Sequence, residues 1–230
     1  MKRFRLQSLP GPGTQTTLDK NGSHHLLHVL RATRGDPVLV FDGTGLQAPA
    51  VLVDVLEGHA VVQVTDVPHS ARPEHALHLV LGLPKGPSMD RAVRMATEAG
   101  VTEIHPVLAA RSTARGDRGD RWRRIATAAA QQCGRADIPQ VHPLSDLAGA
   151  LPLLPMDRRI AVIGASDGPA PQGPCGVLIG PEGGWTAEEI SQAQSTGALP
   201  ITLGDWVLRS DTAAAVAIAA LSRHNKADAT

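Results

Sequence analysis

Two stretches of this chain hold residue types that can grip a ligand or move charge. The first is Ile179-Gly180-Pro181-Glu182-Gly183-Gly184, which follows the apolar run Gly176–Ile179 and precedes Thr186-Ala187-Glu188-Glu189. Thr186 with Glu189 in the third following position is a capping box, so a helix should begin directly after the glycines. The loop then stands at the C-terminal end of a strand, where open α/β sheets bind their ligands. Glycines let backbone approach a ligand closely, and Pro181 sets one bend. The spacing is neither the dinucleotide pattern Gly-x-Gly-x-x-Gly nor the phosphate loop Gly-x4-Gly-Lys-Ser/Thr. By spacing alone it reads as a strand-to-helix turn.

The second stretch is Leu203-Gly204-Asp205-Trp206-Val207-Leu208-Arg209-Ser210-Asp211-Thr212-Ala213, running from a strand end into an Ala-rich helix that should reach about Leu221. Asp211 at a helix start is explained as a cap or dipole partner. Arg209 is not, because a cation there meets the unfavourable end of the dipole; a phosphate or carboxylate partner would account for it. Basic residues cluster at Arg111, Arg115, Arg118, Arg121, Arg123 and Arg124, and again at Lys2, Arg3 and Arg5. Either cluster suits phosphate contact, and either is equally a solvated charged surface. Lys85-Gly86 lacks the Ser/Thr and the earlier glycine of a phosphate loop and reads as a strand-to-helix connection. No metal site is expected, since His24, His25 and His28 have no further His or carboxylate at ligand spacing.

The elements around these stretches change character near Arg72. Before it, Pro37–Phe41, Ala48–Leu56 and Ala60–Val67 alternate as short strands separated by turn residues such as Asp42-Gly43-Thr44-Gly45, the pattern of a small β-barrel or sandwich. The segment from His25 to Arg31 has helical spacing, with Leu26, Val29 and Leu30 on one face as a plug. After it, strands expected at Leu77–Leu83, Glu103–Leu108, Arg159–Ala165, Gly176–Ile179 and Leu199–Leu203 alternate with helical stretches, as in a parallel α/β domain. Ser88–Ala99 should be one such helix, closed by Gly100. The division is therefore residues 1–72 and 73–230.

Composition limits the function classes. With Lys+Arg and Asp+Glu both at 22, the whole molecule has no field that gathers nucleic acid by net charge, so any such contact must be local. Aromatics at 2%, with no Tyr, remove base-stacking platforms of the RRM kind. Cys133 and Cys175 are too few for a disulfide framework. With no apolar run long enough for a signal peptide or a membrane span, a reducing cytoplasm and no membrane partner are expected.

Taken together the two stretches resemble the motifs of the SPOUT methyltransferase superfamily, and more narrowly those of the RsmE family, which methylates N3 of a uridine in bacterial 16S ribosomal RNA. The resemblance extends over His25-Leu26 with Val29-Leu30-Arg31, Phe41-Asp42-Gly43, Lys85-Gly86 with Met89, Ala96 to Val101, Arg111-Ser112, Gln132-Cys133-Gly134-Arg135, the Gly180–Gly184 loop, and Leu208-Arg209 with Thr212-Ala213. Each is weak alone; their order and spacing carry the likeness. It implies a PUA-like β-barrel that helps hold RNA, then an α/β domain tied in a trefoil knot, and a homodimer formed through the knot. It implies S-adenosylmethionine cradled by Leu178, Gly180, Glu182, Gly183, Leu203, Gly204, Val207, Leu208 and Thr212, with RNA contacts at Arg5, Arg31, Lys85, Arg111 and Arg135. The partner would be 16S rRNA within the small ribosomal subunit.

For that chemistry the proton on uracil N3 needs an acceptor and the developing anion needs a cation. Glu182 or Asp211 could take the proton, and Arg209 could stabilise charge on O2 or O4. Three positions depart from the family's usual residues: Trp206 stands where Arg is common, and Gln131 and Asp211 each stand where Glu is common. Other functions compatible with the sequence are a ribose 2′-O-methyltransferase of the same superfamily and an RNA-binding assembly protein without catalysis. A nucleotide-dependent oxidoreductase is disfavoured by the missing fingerprint.

Overall fold

The structure is a computed structural model that describes residues 2–113, 116–166, 168, 169, 171 and 173–227. Contacts divide it into two units, Met1–Arg72 with Ala130–Ile138, and Pro73–Ala129 with Pro139–Thr230. The division is thus more than one cut near Arg72, because the stretch Ala130–Ile138 returns to the first unit. There the Gly45 N–H donates to the Ala136 carbonyl and the Ile138 N–H to the Gly43 carbonyl.

The first unit holds β1 (Lys2–Arg5), β2 (Gln15–Thr17), α1 (Lys20–His24), β3 (Pro37–Phe41), β4 (Leu46–Leu56), β5 (His59–Val64) and β6 (His69–Ser70). They form a single six-stranded sheet, ordered β1-β3-β4-β5-β2 with β6 on β4, rather than the two sheets of a sandwich. Only the β1–β3 pair is parallel. Along β4, Ala48, Ala50 and Leu52 are buried at every second position, the mark of a strand with one face on a core. Phe4, Val38, Val40, Val62 and Val64 complete that core. Leu26 plugs it and is fully buried, which contributes roughly 2 kcal/mol. Its expected companions do not follow it inward: Val29 is 58% exposed and Leu30 37%. His25–Val29 is wound as a π-helix, with the Leu30 N–H donating to the His25 carbonyl, and the extra residue per turn rotates Val29 and Leu30 off the face of Leu26. Leu27 takes their place against the core.

The second unit is a parallel α/β layer. Its strands are β7 (Leu77–Gly82), β8 (Glu103–Val107), β9 (Gln140–Val141), β10 (Asp157–Ala161), β11 (Cys175–Ile179) and β12 (Leu199–Ile201). Their order is β12-β10-β11-β7-β8-β9, every pair parallel. All residues of β7 and β11 are buried, as expected of central strands covered on both faces. The helices are α2 (Ser88–Ala99), α3 (Gly119–Cys133, whose residues from Ala130 on belong to the first unit), α4 (Leu147–Ala150), α5 (Ala187–Ser195) and α6 (Ser210–Ala227). The buried face of α2 carries Met89, Ala92, Val93 and Ala96, and Gly100 ends it at φ 112, a left-handed conformation that glycine adopts without strain. Among the described residues no helix is long and apolar enough to cross a membrane.

Four expected strands of this unit stop early, β7 by one residue at Gly82. β8 ends at Val107, and β10 ends at Ala161, where Ile163-Gly164 turns the chain. β12 ends at Ile201, where the Thr202 hydroxyl donates to the Gly204 carbonyl and accepts from the Gly204 N–H. Side-chain hydrogen bonds of this kind give the backbone an alternative to the ladder. In consequence Leu203 belongs to a loop and not to a strand.

The capping box at α5 does more than start a helix. Thr186 Oγ1 accepts from the Glu189 N–H at 3.2 Å, and Glu189 Oε2 accepts from the Thr186 N–H at 2.8 Å. The other oxygen of Glu189 accepts from the Ala110 N–H at 2.8 Å, pinning the loop after β8 to this helix. Thr186→Ala should cost about 1 kcal/mol. Glu189→Ala, which strands two N–H groups, should cost about 2 kcal/mol. Urea unfolding of both variants checks this, and equal losses would show that the Ala110 bond contributes nothing.

Candidate active-site cavity

A cavity of about 860 Å³ opens at the C-terminal ends of β10, β11 and β12. Three loops build it, each the exit of one strand: residues 161–165, 180–185 and 202–210. This is the edge at which parallel sheets leave backbone groups free of the ladder.

The middle loop is held tightly. An added Cβ on Gly82, at the end of β7, would stand 2.5 Å from Pro181 Cδ and 2.8 Å from Pro181 N, so the loop crosses the end of β7 where only glycine fits. At Gly180 an added Cβ would meet the Gly184 backbone at 3.1 Å. The Gly184 N–H closes a turn onto the Pro181 carbonyl. The Glu182 carboxylate accepts from the Lys85 N–H at 3.0 and 3.3 Å. Arg111 Nη1 donates to the Gly183 carbonyl at 2.9 Å and the Trp185 carbonyl at 3.3 Å. Arg111, expected as an RNA contact, is therefore a clamp on the glycine loop as well as part of the cavity wall.

Most of the residues singled out by sequence meet here. Gly180, Glu182 and Gly183 line the cavity on one side, and Leu203, Gly204, Val207, Leu208 and Arg209 on the other. Leu178 does not line it; it is fully buried one layer below, in the core with Val80 and Ile160. Thr212 is also outside the lining, in the first turn of α6. Sequence reasoning missed Ile163 and Gly164, because Arg159–Ala165 reads as unbroken strand. It also passed over Trp185 and Ile190, which form apolar wall behind the glycines. The usable signal was position: each follows or flanks the C-terminal end of a parallel strand.

Asp211 is not placed as a cavity base. Its side chain is 8% exposed and paired with Arg91, Nε to Oδ2, at 2.6 Å. Arg91 in turn donates to Ser88 Oγ at 2.9 Å. Burial pushes the Asp211 carboxyl up, but Arg91 and the Thr212 N–H together outweigh it and hold the group below the ordinary carboxylate range. A weakly basic, occupied carboxylate ties the start of α6 to the start of α2. Arg209 carries no such tie: it is exposed, lines the cavity, and its carbonyl accepts from the Ala213 N–H.

The remaining basic candidates are distributed differently. Arg5, Arg31 and Arg135 lie in the first unit, Arg5 and Arg31 exposed and Arg135 ion-paired with Asp137. Of the N-terminal cluster, Lys2 pairs with Asp36 at 2.9 Å and Arg3 donates to Gln47 at 2.8 Å, which leaves it less basic than its composition. In the second cluster Arg121 forks onto Asp90 at 2.7 and 2.8 Å and Arg123 binds Asp120 at 2.8 Å, while Arg118 is exposed. Arg115 lies outside the described residues. Lys85 is exposed beside Glu182.

Comparison with known proteins is consistent with this geometry. Residues 71–222 match the family model described as RNA methyltransferase domain. A relative from Synechocystis, named ribosomal RNA small subunit methyltransferase E, is 36% identical over 90% of this chain and 72% of its own length. One of the same name from Mycobacterium bovis is 32% identical over 95% and 90%. The crystal structure of the Neisseria gonorrhoeae protein of that name, bound to S-adenosylmethionine, superposes with a TM-score of 0.86 at 31% identity over 97% of both chains. A Legionella pneumophila methyltransferase in complex with the same cofactor gives a TM-score of 0.82 at 26% identity over 96% of both chains.

The Arg91–Asp211 pair should couple in a double-mutant cycle of Arg91→Ala and Asp211→Asn, with an interaction of about 1–2 kcal/mol in denaturant unfolding at neutral pH. Because the native carboxyl titrates below its unfolded value of about 3.9, that contribution is complete well above this pH and is lost as the pH falls below it. Asp211→Asn should flatten that acid limb. A cycle that sums to zero would show that the pair is incidental.

Proposed function

The chain belongs to the RNA methyltransferase domain family and, within it, to the ribosomal RNA small subunit methyltransferase E proteins, and from that premise we propose that it transfers the methyl group of S-adenosylmethionine to N3 of one uridine in 16S rRNA. The observation that carries the reading is the cavity, in which the glycine loop and the stretch from Leu203 to Arg209 face each other across the strand ends. Its volume lies within the roughly 300–1,000 Å³ of small-molecule sites. Its walls also suit the cofactor: backbone comes to the surface where an added Cβ on Gly180 or Gly183 would crowd its neighbours at 3.1 Å. When bound, the cofactor supplies a methyl group on a positively charged sulfur.

The chain's own residues then have separable tasks. Leu203, Val207 and Leu208 offer apolar cover, and the main chain of the glycine loop offers hydrogen-bonding groups. Glu182, which lines the cavity and is held in place by the Lys85 N–H, accepts the proton leaving uracil N3. Arg209 at the rim stabilises the negative charge that develops on the base. Asp211 is a positioning residue: through Arg91 it fixes the start of α6, and so the approach of Arg209. Lys85 and Arg118 contribute phosphate contacts on this unit, with Arg5 and Arg31 on the other.

The finer architecture belongs to the same reading. The first unit acts as a PUA-like barrel that holds RNA, and the C-terminal part of the second unit is tied in a trefoil knot around the cofactor. The active form is a homodimer through that region, in the cytoplasm. Trp206 and Val207, 84% and 76% exposed, are apolar side chains that a second copy would cover.

Calorimetry with S-adenosylmethionine, followed by incubation with small ribosomal subunits from a strain lacking the gene and mass spectrometry of the 16S rRNA, tests the proposal. N3-methyluridine is the expected product; a ribose methyl in its place, or no cofactor binding, would overturn it. Arg209→Ala and Glu182→Gln should each lower kcat by about 10²-fold or more while cofactor affinity changes by less than about 3-fold. Unchanged turnover would remove the residue concerned from the mechanism.

A further inference from the structure

Away from the cavity, at the opposite edge of the second sheet, three imidazoles and one carboxylate share one face. His78 is the second residue of β7 and pairs in register with Glu103, the first residue of β8. His105 follows Glu103 by one alternation, and the His142 N–H donates to the Ile104 carbonyl, bringing His142 alongside. The His105 and His142 rings lie face to face, with centroids 4.1 Å apart and planes at 14°. His78 Nδ1 is 3.2 Å from His105 Nε2. Glu103 Oε1 is 3.5 Å from His78 Nε2, and Glu103 Oε2 is 3.7 Å from His105 Nε2 and 2.7 Å from His142 Nε2. His78 and His105 are 7% and 1% exposed.

We propose that His78, Glu103 and His105 form a binding site for a divalent transition metal of the zinc class, with His142 positioning the carboxylate. Ligand atoms from the three lie within 4.8 Å of one another. Tetrahedral zinc with bonds of about 2.0–2.1 Å sets its ligand atoms roughly 3.3 Å apart, which His78 Nδ1 and His105 Nε2 match at 3.2 Å, with Glu103 Oε2 at 3.7 Å from the same His105 atom. Two nitrogens and one oxygen suit zinc over magnesium or calcium, which take oxygen alone. Glu103 is 30% exposed, which leaves solvent access for a water in the fourth position. His142 lies flat against His105, and its Nε2 meets Glu103, the arrangement of an outer group orienting a ligating carboxylate. An ion here would tie β7 and β8 to the exit of β9, a strand of only two residues.

The test uses full-length protein made without a histidine tag and stripped by chelator. It is titrated with Zn²⁺ by calorimetry and with Co²⁺ by visible absorption. One ion per chain is expected, with the ligand-field bands of low-coordinate Co²⁺ and a melting temperature that rises with Zn²⁺. Glu103→Gln keeps the size of the side chain and its contact with His142, and should weaken binding more than about 10-fold. His142→Ala should weaken it about 10- to 100-fold. Far-UV circular dichroism and S-adenosylmethionine affinity, both unchanged, establish that these variants are folded. His105→Leu, which removes a ligand, should abolish binding; should it fail to fold, the Co²⁺ spectrum of the parent and the Glu103→Gln comparison still decide. Substoichiometric binding by the parent, or a Glu103→Gln variant that binds as tightly, would overturn the site. Metal binding is read independently of cofactor binding, so failure of one reading is distinguishable from failure of the other.

Discussion

The loop from Gly180 to Gly184 is pressed onto the end of β7, and there is no room for a side chain at Gly82 beneath Pro181. The cavity depends on that close approach. Because the loop lies so near β7, the Glu182 carboxylate reaches the Lys85 N–H just beyond the same strand. Because Gly183 carries no side chain, Arg111 packs over it and binds the loop's carbonyls from outside. The loop's shape is thus decided by steric exclusion first and by charge-assisted hydrogen bonds second. Burial of β7 and β11 on both faces supplies the rigid base on which both operate.

The parts of this arrangement that were legible in the sequence are the ones encoded locally. Ser88–Ala99 announces itself by helical spacing and a closing glycine, and Thr186 with Glu189 announces the start of α5. These signals act within one or two turns of chain, so a linear reading captures them. The strand ends were not legible in that way. Thr202 stops β12 by bonding Gly204, and a threonine between apolar residues looks like more strand. The winding of His25–Val29 was likewise hidden, since helical spacing predicts the wrong face once a turn holds an extra residue.

Long-range pairing was hidden for a different reason. Asp211 looked like a helix cap because nothing near it in the chain is cationic except Arg209. Its actual partner, Arg91, stands 120 positions earlier and is brought to it only by the packing of α6 on α2. His78, Glu103, His105 and His142 come from β7, β8 and the residue after β9, and have no spacing that a ligand motif would recognise. In a parallel sheet, side chains at the same strand end become neighbours whatever their separation in sequence. A strand register, which the sequence does not state, is what assembles them.

The cavity's two facing walls are built to different tolerances. The glycine loop is fixed by Pro181 against β7, by Glu182, by Arg111 and by an internal turn. The opposite wall, from Gly204 to Val207, is exposed at every residue and is held mainly by the Thr202 hydroxyl before it and the first turn of α6 after it. The two walls therefore differ in how much of their backbone is fixed by hydrogen bonds and close packing. The glycine side presents a fixed backbone surface, while the side of Trp206 and Val207 presents exposed apolar side chains. A substitution on the glycine side would therefore disturb the shape of the cleft, whereas one at Trp206 or Val207 would change its apolar surface and leave that shape in place.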